Sequence, residues 1–126
     1  MTPREELELY AEEGKGILKQ VKKTTESILD LRQWPAQHHD PDMNNHLLEQ
    51  TWEQWAFVLE TLTRLEMIKA MIGGKLVHRV IRLWQKCDNV ITTNLFYLDE
   101  LKNHLAGNCS LTPSGHRPTW LGRDDL

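Results

Sequence analysis

Cysteine is nearly missing from this chain of 126 residues, with only Cys87 and Cys109 present. Their wide spacing fits neither a disulfide framework nor a zinc site, and two reduced thiols are expected. No run approaches 18 uncharged apolar residues, which excludes a transmembrane helix. The opening MTPREELELY is polar and acidic and lacks the pattern of a signal peptide. On that ground the triplet Asn108-Cys109-Ser110 is expected to match a glycosylation acceptor by coincidence. There is no surplus of cations. The net charge of −3 and pI near 6.0 are not the footprint of a nucleic-acid binder, so any basic surface must be a local patch. No internal repeat, serine elbow, phosphate loop or Cys/His nucleophile pair is evident.

Helical periodicity is what the sequence has in abundance. Leu47 to Ile72 is free of Gly and Pro and holds Trp52, Trp55 and Phe57. Leu48, Trp55, Val58, Leu62 and Leu65 form a stripe, flanked by Trp52, Ala56, Leu59 and Met67. So wide an apolar band needs partner helices to cover it. A second stripe runs Leu7, Tyr10, Gly14, Ile17, Val21, Thr24, Ile28, Leu31, and a third Val77, Val80, Trp84, Cys87, Ile91, Asn94, Leu98, Leu101, Leu105. Both step by three and four, the spacing of helix-on-helix seams. Gly14 and Thr24 weaken the first. Asn94 is the polar member of the other, at a wet edge of the seam or hydrogen-bonded inside it to fix register.

Punctuation divides these stripes. Thr2-Pro3-Arg4-Glu5 starts a helix with a capping box, and Trp34-Pro35 ends it. Asp40 caps the next helix, with Pro41 at its first position. The apolar phase slips at Gly73-Gly74, which predicts a tight turn or sharp kink. Gly107 is expected to cap the third helix. The fold class is therefore all-α, an antiparallel bundle of three long helices at about 3–33, 41–72 and 75–106. One domain spans 1–106, and an irregular tail covers 107–126. The central band is the widest, so the second helix is expected to sit between the others with its tryptophans mainly in the core. A second copy or another protein could supply a fourth packing surface.

Three constellations invite chemistry. His38, His39, Asp40, Asp42 and His46 cluster around the first loop but match no metal template, and a polar capped loop is the better reading. Glu49, Glu53, Glu60 and Glu66 have the spacing of an exposed helical edge, not of an acid–base pair. Lys75, His78, Arg79, Arg82 and Lys86 share one side of the third helix, either as a solvated face or as a phosphate-binding stripe. Lys15, Lys19, Lys22 and Lys23 read the same way. In the tail, Trp120 and Leu121 either fold back or act as a short linear motif. No catalytic residue, metal site or cofactor is expected. The candidate partner-binding residues are Trp52, Trp55, Lys75, Arg79, Arg82, Lys86 and Trp120.

The run Leu48-Glu49-Gln50-Thr51, then Glu60-Thr61 and Leu65, resembles the C-terminal helical region of the C accessory proteins of paramyxoviruses, with spacing that departs by one residue. Leu31-Arg32-Gln33-Trp34-Pro35 is similar to a Leu-x-x-Trp segment with a nearby Pro in some members. The likeness covers about residues 28 to 90. The acidic pI departs from the family's basic tendency. The resemblance implies a non-enzymatic viral accessory protein of the host cell cytoplasm. Such proteins damp viral RNA synthesis, through the viral polymerase complex, and block interferon signalling. The implied partners are a signal transducer and activator of transcription or the ESCRT adaptor Alix. Self-association is compatible with it. The alternative class is a nucleic-acid-associated or matrix-like viral structural protein using the basic helix face.

Overall fold

The computed structural model describes residues 1–33 and 40–105. It contains α1 (Pro3–Arg32), α2 (Pro41–Ile72) and α3 (Lys75–Leu105). The N-terminal caps of α1 and α2 fall on the residues the sequence announces. Thr2 Oγ1 accepts the Glu5 N–H at 3.2 Å, and Asp40 Oδ1 accepts that of Asp42 at 3.0 Å. At the far end of α2 the Gly73 N–H donates to the Lys69 carbonyl at 2.9 Å. Gly73 and Gly74 take φ of 59° and 100°, a region that favours glycine, and so form the expected tight turn. Trp34, Gly107, Trp120 and the tail lie outside the described residues.

Consecutive helices run antiparallel, so α1 and α3 run parallel. The pairings fix this: Trp84 Nε1–H donates to the Tyr10 carbonyl at 3.0 Å, Asn94 Nδ2 to that of Val21 at 3.1 Å, and Arg32 pairs with Glu100 at 3.6 Å. On the other side Gln54 reaches Thr24, and Arg64 reaches Glu6. The broad interfaces are those of α3 with α1 and with α2, while α1 and α2 touch less. The central helix is therefore α3, not the more apolar α2. Trp84, its largest buried side chain, meets Tyr10 edge-on at 6.2 Å and Phe57 at 5.6 Å.

Two apolar clusters make the core. One, toward the diglycine turn, includes Leu7, Val21, Val58, Leu65, Ile68, Val77, Trp84 and Ile91. The other, toward the first loop, includes Ile28, Leu31, Leu47, Tyr97, Leu98 and Leu101. Arg32 closes that second cluster with its guanidinium 4.8 Å over the Tyr97 ring. Between the clusters lies a buried polar layer of Thr24, Thr25, Thr51, Gln54 and Asn94. The Thr25 hydroxyl donates to the Asn94 side-chain carbonyl, and Gln54 Nε2 donates to Thr24 Oγ1 at 3.2 Å. Asn94 thus hydrogen-bonds inside the seam.

The seam of α2 differs from the expected stripe. Its buried residues are Leu47, Thr51, Gln54, Val58, Thr61, Leu65 and Ile68, so only Val58 and Leu65 are shared with that stripe. Leu48, Trp55 and Leu62 pack at its border, and Trp52, Ala56, Leu59 and Met67 are exposed. Relative to that stripe the helix is rotated by roughly 60°.

Gly14 is buried where α1 meets α3. A Cβ there would stand 2.6 Å from Leu83 Cδ2 and 2.8 Å from Trp84 Nε1, whereas one at Gly16 would meet nothing within 4 Å. The two glycines are thus expected to respond oppositely. Gly16→Ala should stabilise by about 0.5–1 kcal/mol through helix propensity. Gly14→Ala should destabilise by about 1–3 kcal/mol through overpacking against the held Trp84 ring. Urea denaturation of both variants checks this, and equal shifts would contradict the close approach at Gly14.

Candidate interaction surface

The rotation of α2 decides which candidate residues are available. Trp52 is 48% exposed, Leu59 39% and Met67 52%. Ala56, Thr63 and Ala70 lie on the same side and are exposed. The spacing from Trp52 through Ala56, Leu59 and Thr63 to Met67 and Ala70 is that of one helical face. Trp55 stands at its edge, half-buried, stacked at a tilt 5.1 Å from Trp52. Its indole N–H donates to the Asp88 carboxylate of α3 at 2.9 Å. That bond fixes the ring and leaves its body as a wall of the face. The tryptophans thus divide: Trp84 is core, Trp52 is surface, and Trp55 joins α2 to α3.

Exposed Glu49, Glu53 and Glu60 follow the outer side of α2, giving the apolar face an acidic border. Their positions are those of the solvated edge expected from spacing. Asp42 and His46 are exposed in the first turns of α2, while His38 and His39 lie outside the described residues. Among the described residues no group of three His, Cys, Asp or Glu is placed to hold a metal ion.

Phe57 points to the other side of α2, between two open hollows along the α1–α2 junction. One is bordered by Gly16, Ile17, Gln20 and Lys23, the other by Tyr10, Thr61, Arg64 and Met67. Arg64 is engaged there, donating to both Glu6 oxygens, at 2.9 Å from Nη2. These hydrogen bonds hold the Glu6 carboxyl below the usual carboxylate range. The contribution of this pair to stability is therefore present at neutral pH and lost as pH falls through the carboxylate range.

On α3, Lys75, His78, Arg79 and Arg82 are exposed and Lys86 is half-buried. The stripe does lie on one side of the helix, and its first residue abuts the diglycine turn. Apolar residues that sequence reasoning did not single out surround that turn: Met71, Ile72 and Leu76 are exposed. Phe96, also exposed, stands further along α3. The signal for the α2 face was present in the sequence as Trp52, Ala56, Leu59 and Met67, which flank the expected stripe on the side away from the buried seam.

No protein-family model matches the chain, and neither does a curated protein or a solved structure. What the fold and surface define is a three-helix bundle with an apolar, acid-bordered helix face outside its core. Among the described residues no helix is long and apolar enough to cross a membrane.

Cys87 is fully buried, its Sγ 3.8 Å from the Gly14 carbonyl. Burial pushes its thiol from 9.0 up to about 12. It is therefore no nucleophile at neutral pH. In a Cys109→Ser background, a thiol reagent at pH 8 should label Cys87 only as fast as the protein unfolds, and stoichiometrically in denaturant. Rapid labelling of the native chain would contradict its burial. The raised value also sets a pH dependence. The folded thiol keeps its proton where the unfolded one loses it, so this contribution to stability is complete below pH 9.0 and declines toward about 12.

Proposed function

We propose that the protein is a non-enzymatic helical module that docks a protein partner on the outer face of α2. The observation that carries this reading is an inversion of polarity. Thr51, Gln54 and Thr61 of α2 face the core while Trp52, Leu59 and Met67 face solvent. A helix that spends its life in water gains from the opposite arrangement. Fully burying a side chain of the Leu or Met class yields about 1.5–3 kcal/mol, and half of that surface is still open here. A Trp–Trp pair at a helix edge is the kind of anchor that dominates interfaces. The acidic border favours a partner helix whose apolar stripe is flanked by Lys or Arg.

The resemblance of Leu48-Glu49-Gln50-Thr51, Glu60-Thr61 and Leu65 to the paramyxovirus C accessory proteins supplies the biological setting. It supports a viral accessory protein of the host cell cytoplasm that antagonises interferon signalling and regulates viral RNA synthesis. The N-terminal domain of a signal transducer and activator of transcription, and Alix, are the partners to try first.

Titration of the full chain with each purified partner tests this. At least one should bind saturably, and Trp52→Ala or Leu59→Ala should weaken it by about 2 kcal/mol, some thirtyfold. Both sites are exposed, so the thermal midpoint should stay close to that of the parent. Lack of binding to either protein would sink the partner assignment. Binding that both variants leave unchanged would sink the face.

A further inference from the structure

Between Glu66 and Asp88 the chain has no acidic residue, yet this stretch carries Lys69, Lys75, Arg79, Arg82 and Lys86 in a protein of net charge −3. The fold bends the segment into the α2–α3 turn and so concentrates it at one end of the bundle. At that turn Met71 is 51% exposed, Ile72 46% and Leu76 41%. The core does not need them. Ile68 and Val77, both fully buried, already close it one turn further in.

Lys69 lies one turn below the end of α2, Lys75 directly after Gly74, and Arg79 one turn into α3. All three are exposed. Lys69 has only a surface contact with Glu66, at 4.0 Å. The arrangement is an apolar tip with a basic collar. We propose that the α2–α3 turn docks on an anionic lipid bilayer. Met71, Ile72 and Leu76 enter the boundary between headgroups and acyl chains, and Lys69, Lys75 and Arg79 reach lipid phosphates from above it.

A nucleic acid would satisfy the cations but would leave the three apolar side chains in water. That is why the bilayer fits better. Exposed Glu5 and Glu8 on the first turns of α1 stand toward the same end. The attraction is therefore confined to the α2–α3 turn and falls with salt. The site shares no residue with the Trp52/Leu59 face and does not depend on that face having a partner.

Co-sedimentation of the full chain with phosphatidylcholine vesicles, with and without phosphatidylserine, tests the proposal. At low salt the protein should bind the phosphatidylserine vesicles roughly tenfold more tightly than the neutral ones, and lose that preference at high salt. Met71→Ser with Ile72→Ser should weaken binding about tenfold through lost insertion. Lys75→Glu with Arg79→Glu should abolish the preference. Circular dichroism should show unchanged helix content in both variants. Three outcomes would overturn the proposal: no vesicle binding at low salt, vesicle binding unaffected by the apolar double variant, or single-stranded RNA bound while vesicles are not. Concentration-dependent dimers that the apolar double variant abolishes, without vesicle binding, would assign the tip to a second copy instead.

Discussion

The structure depends on the polar layer that cuts its core in two. Asn94 is fully buried, and its amide is satisfied by the Thr25 hydroxyl on one side and the Val21 carbonyl on the other. Those partners exist at one height only. Sliding α3 by a heptad along α1 would carry the amide into one of the apolar clusters and strand its donors, at about 1–3 kcal/mol for each unsatisfied group. The layer therefore sets the register of two parallel helices whose three-four stripes would otherwise mesh at several offsets.

The same layer explains why α2 turns its weaker face inward. Two three-four stripes compete on this helix, one residue apart. The first, from Leu47 to Ile68, includes Thr51, Gln54 and Thr61; the second, from Leu48, includes Trp52, Trp55 and Leu59 but continues to Glu66 and Lys69. Choosing the second would remove Gln54 from Thr24 and put Glu66 and Lys69 where Leu65 and Ile68 now sit fully buried. Burying two charges is costlier than leaving two apolar side chains half wet. The apolar surplus on the outside of α2 is thus a consequence of keeping Glu66 and Lys69 out of the core.

This competition marks the boundary of what was legible in the sequence. The N-terminal caps of α1 and α2, the diglycine turn and the seams of α1 and α3 were readable because each rests on local chemistry or on one dominant stripe. Asn94 could be flagged as a register residue, but the partner that decides its meaning, Thr25, lies 69 positions away. For α2 the hydrophobic pattern favoured the wrong phase, since periodicity counts apolar residues and cannot count hydrogen bonds to another helix. That error also misplaced the tryptophans, though Trp52 stays available as the partner-binding candidate its residue type suggests. Trp52 appeared as core and is surface. The order of the helices was misread for the same reason, because α3 is less apolar than α2 and still makes the larger interfaces. The basic stripe was legible as a stripe. Its continuity with an apolar tip was not, because Met71 and Ile72 belong to one helix and Lys75 and Leu76 to the next.

Charge is distributed along the bundle so that the two surfaces do not interfere. The acidic border of the α2 face begins at Glu49 and ends at Glu60, and the chain carries no acid from there to the turn except Glu66. Trp52 and Ile72 are 20 positions apart on one straight helix, which places the tryptophan about 30 Å from the tip. At physiological ionic strength the Debye length is about 8 Å, so charges at the tip are screened from the border several times over. An anionic surface that attracts Lys75 and Arg79 therefore exerts little field on Glu49 and Glu53. The tip and the α2 face answer to different chemistries at that separation, one to a charged surface and the other to an apolar partner helix. The face whose apolar content the polar layer pushed outward can then receive a partner whether or not the tip is seated.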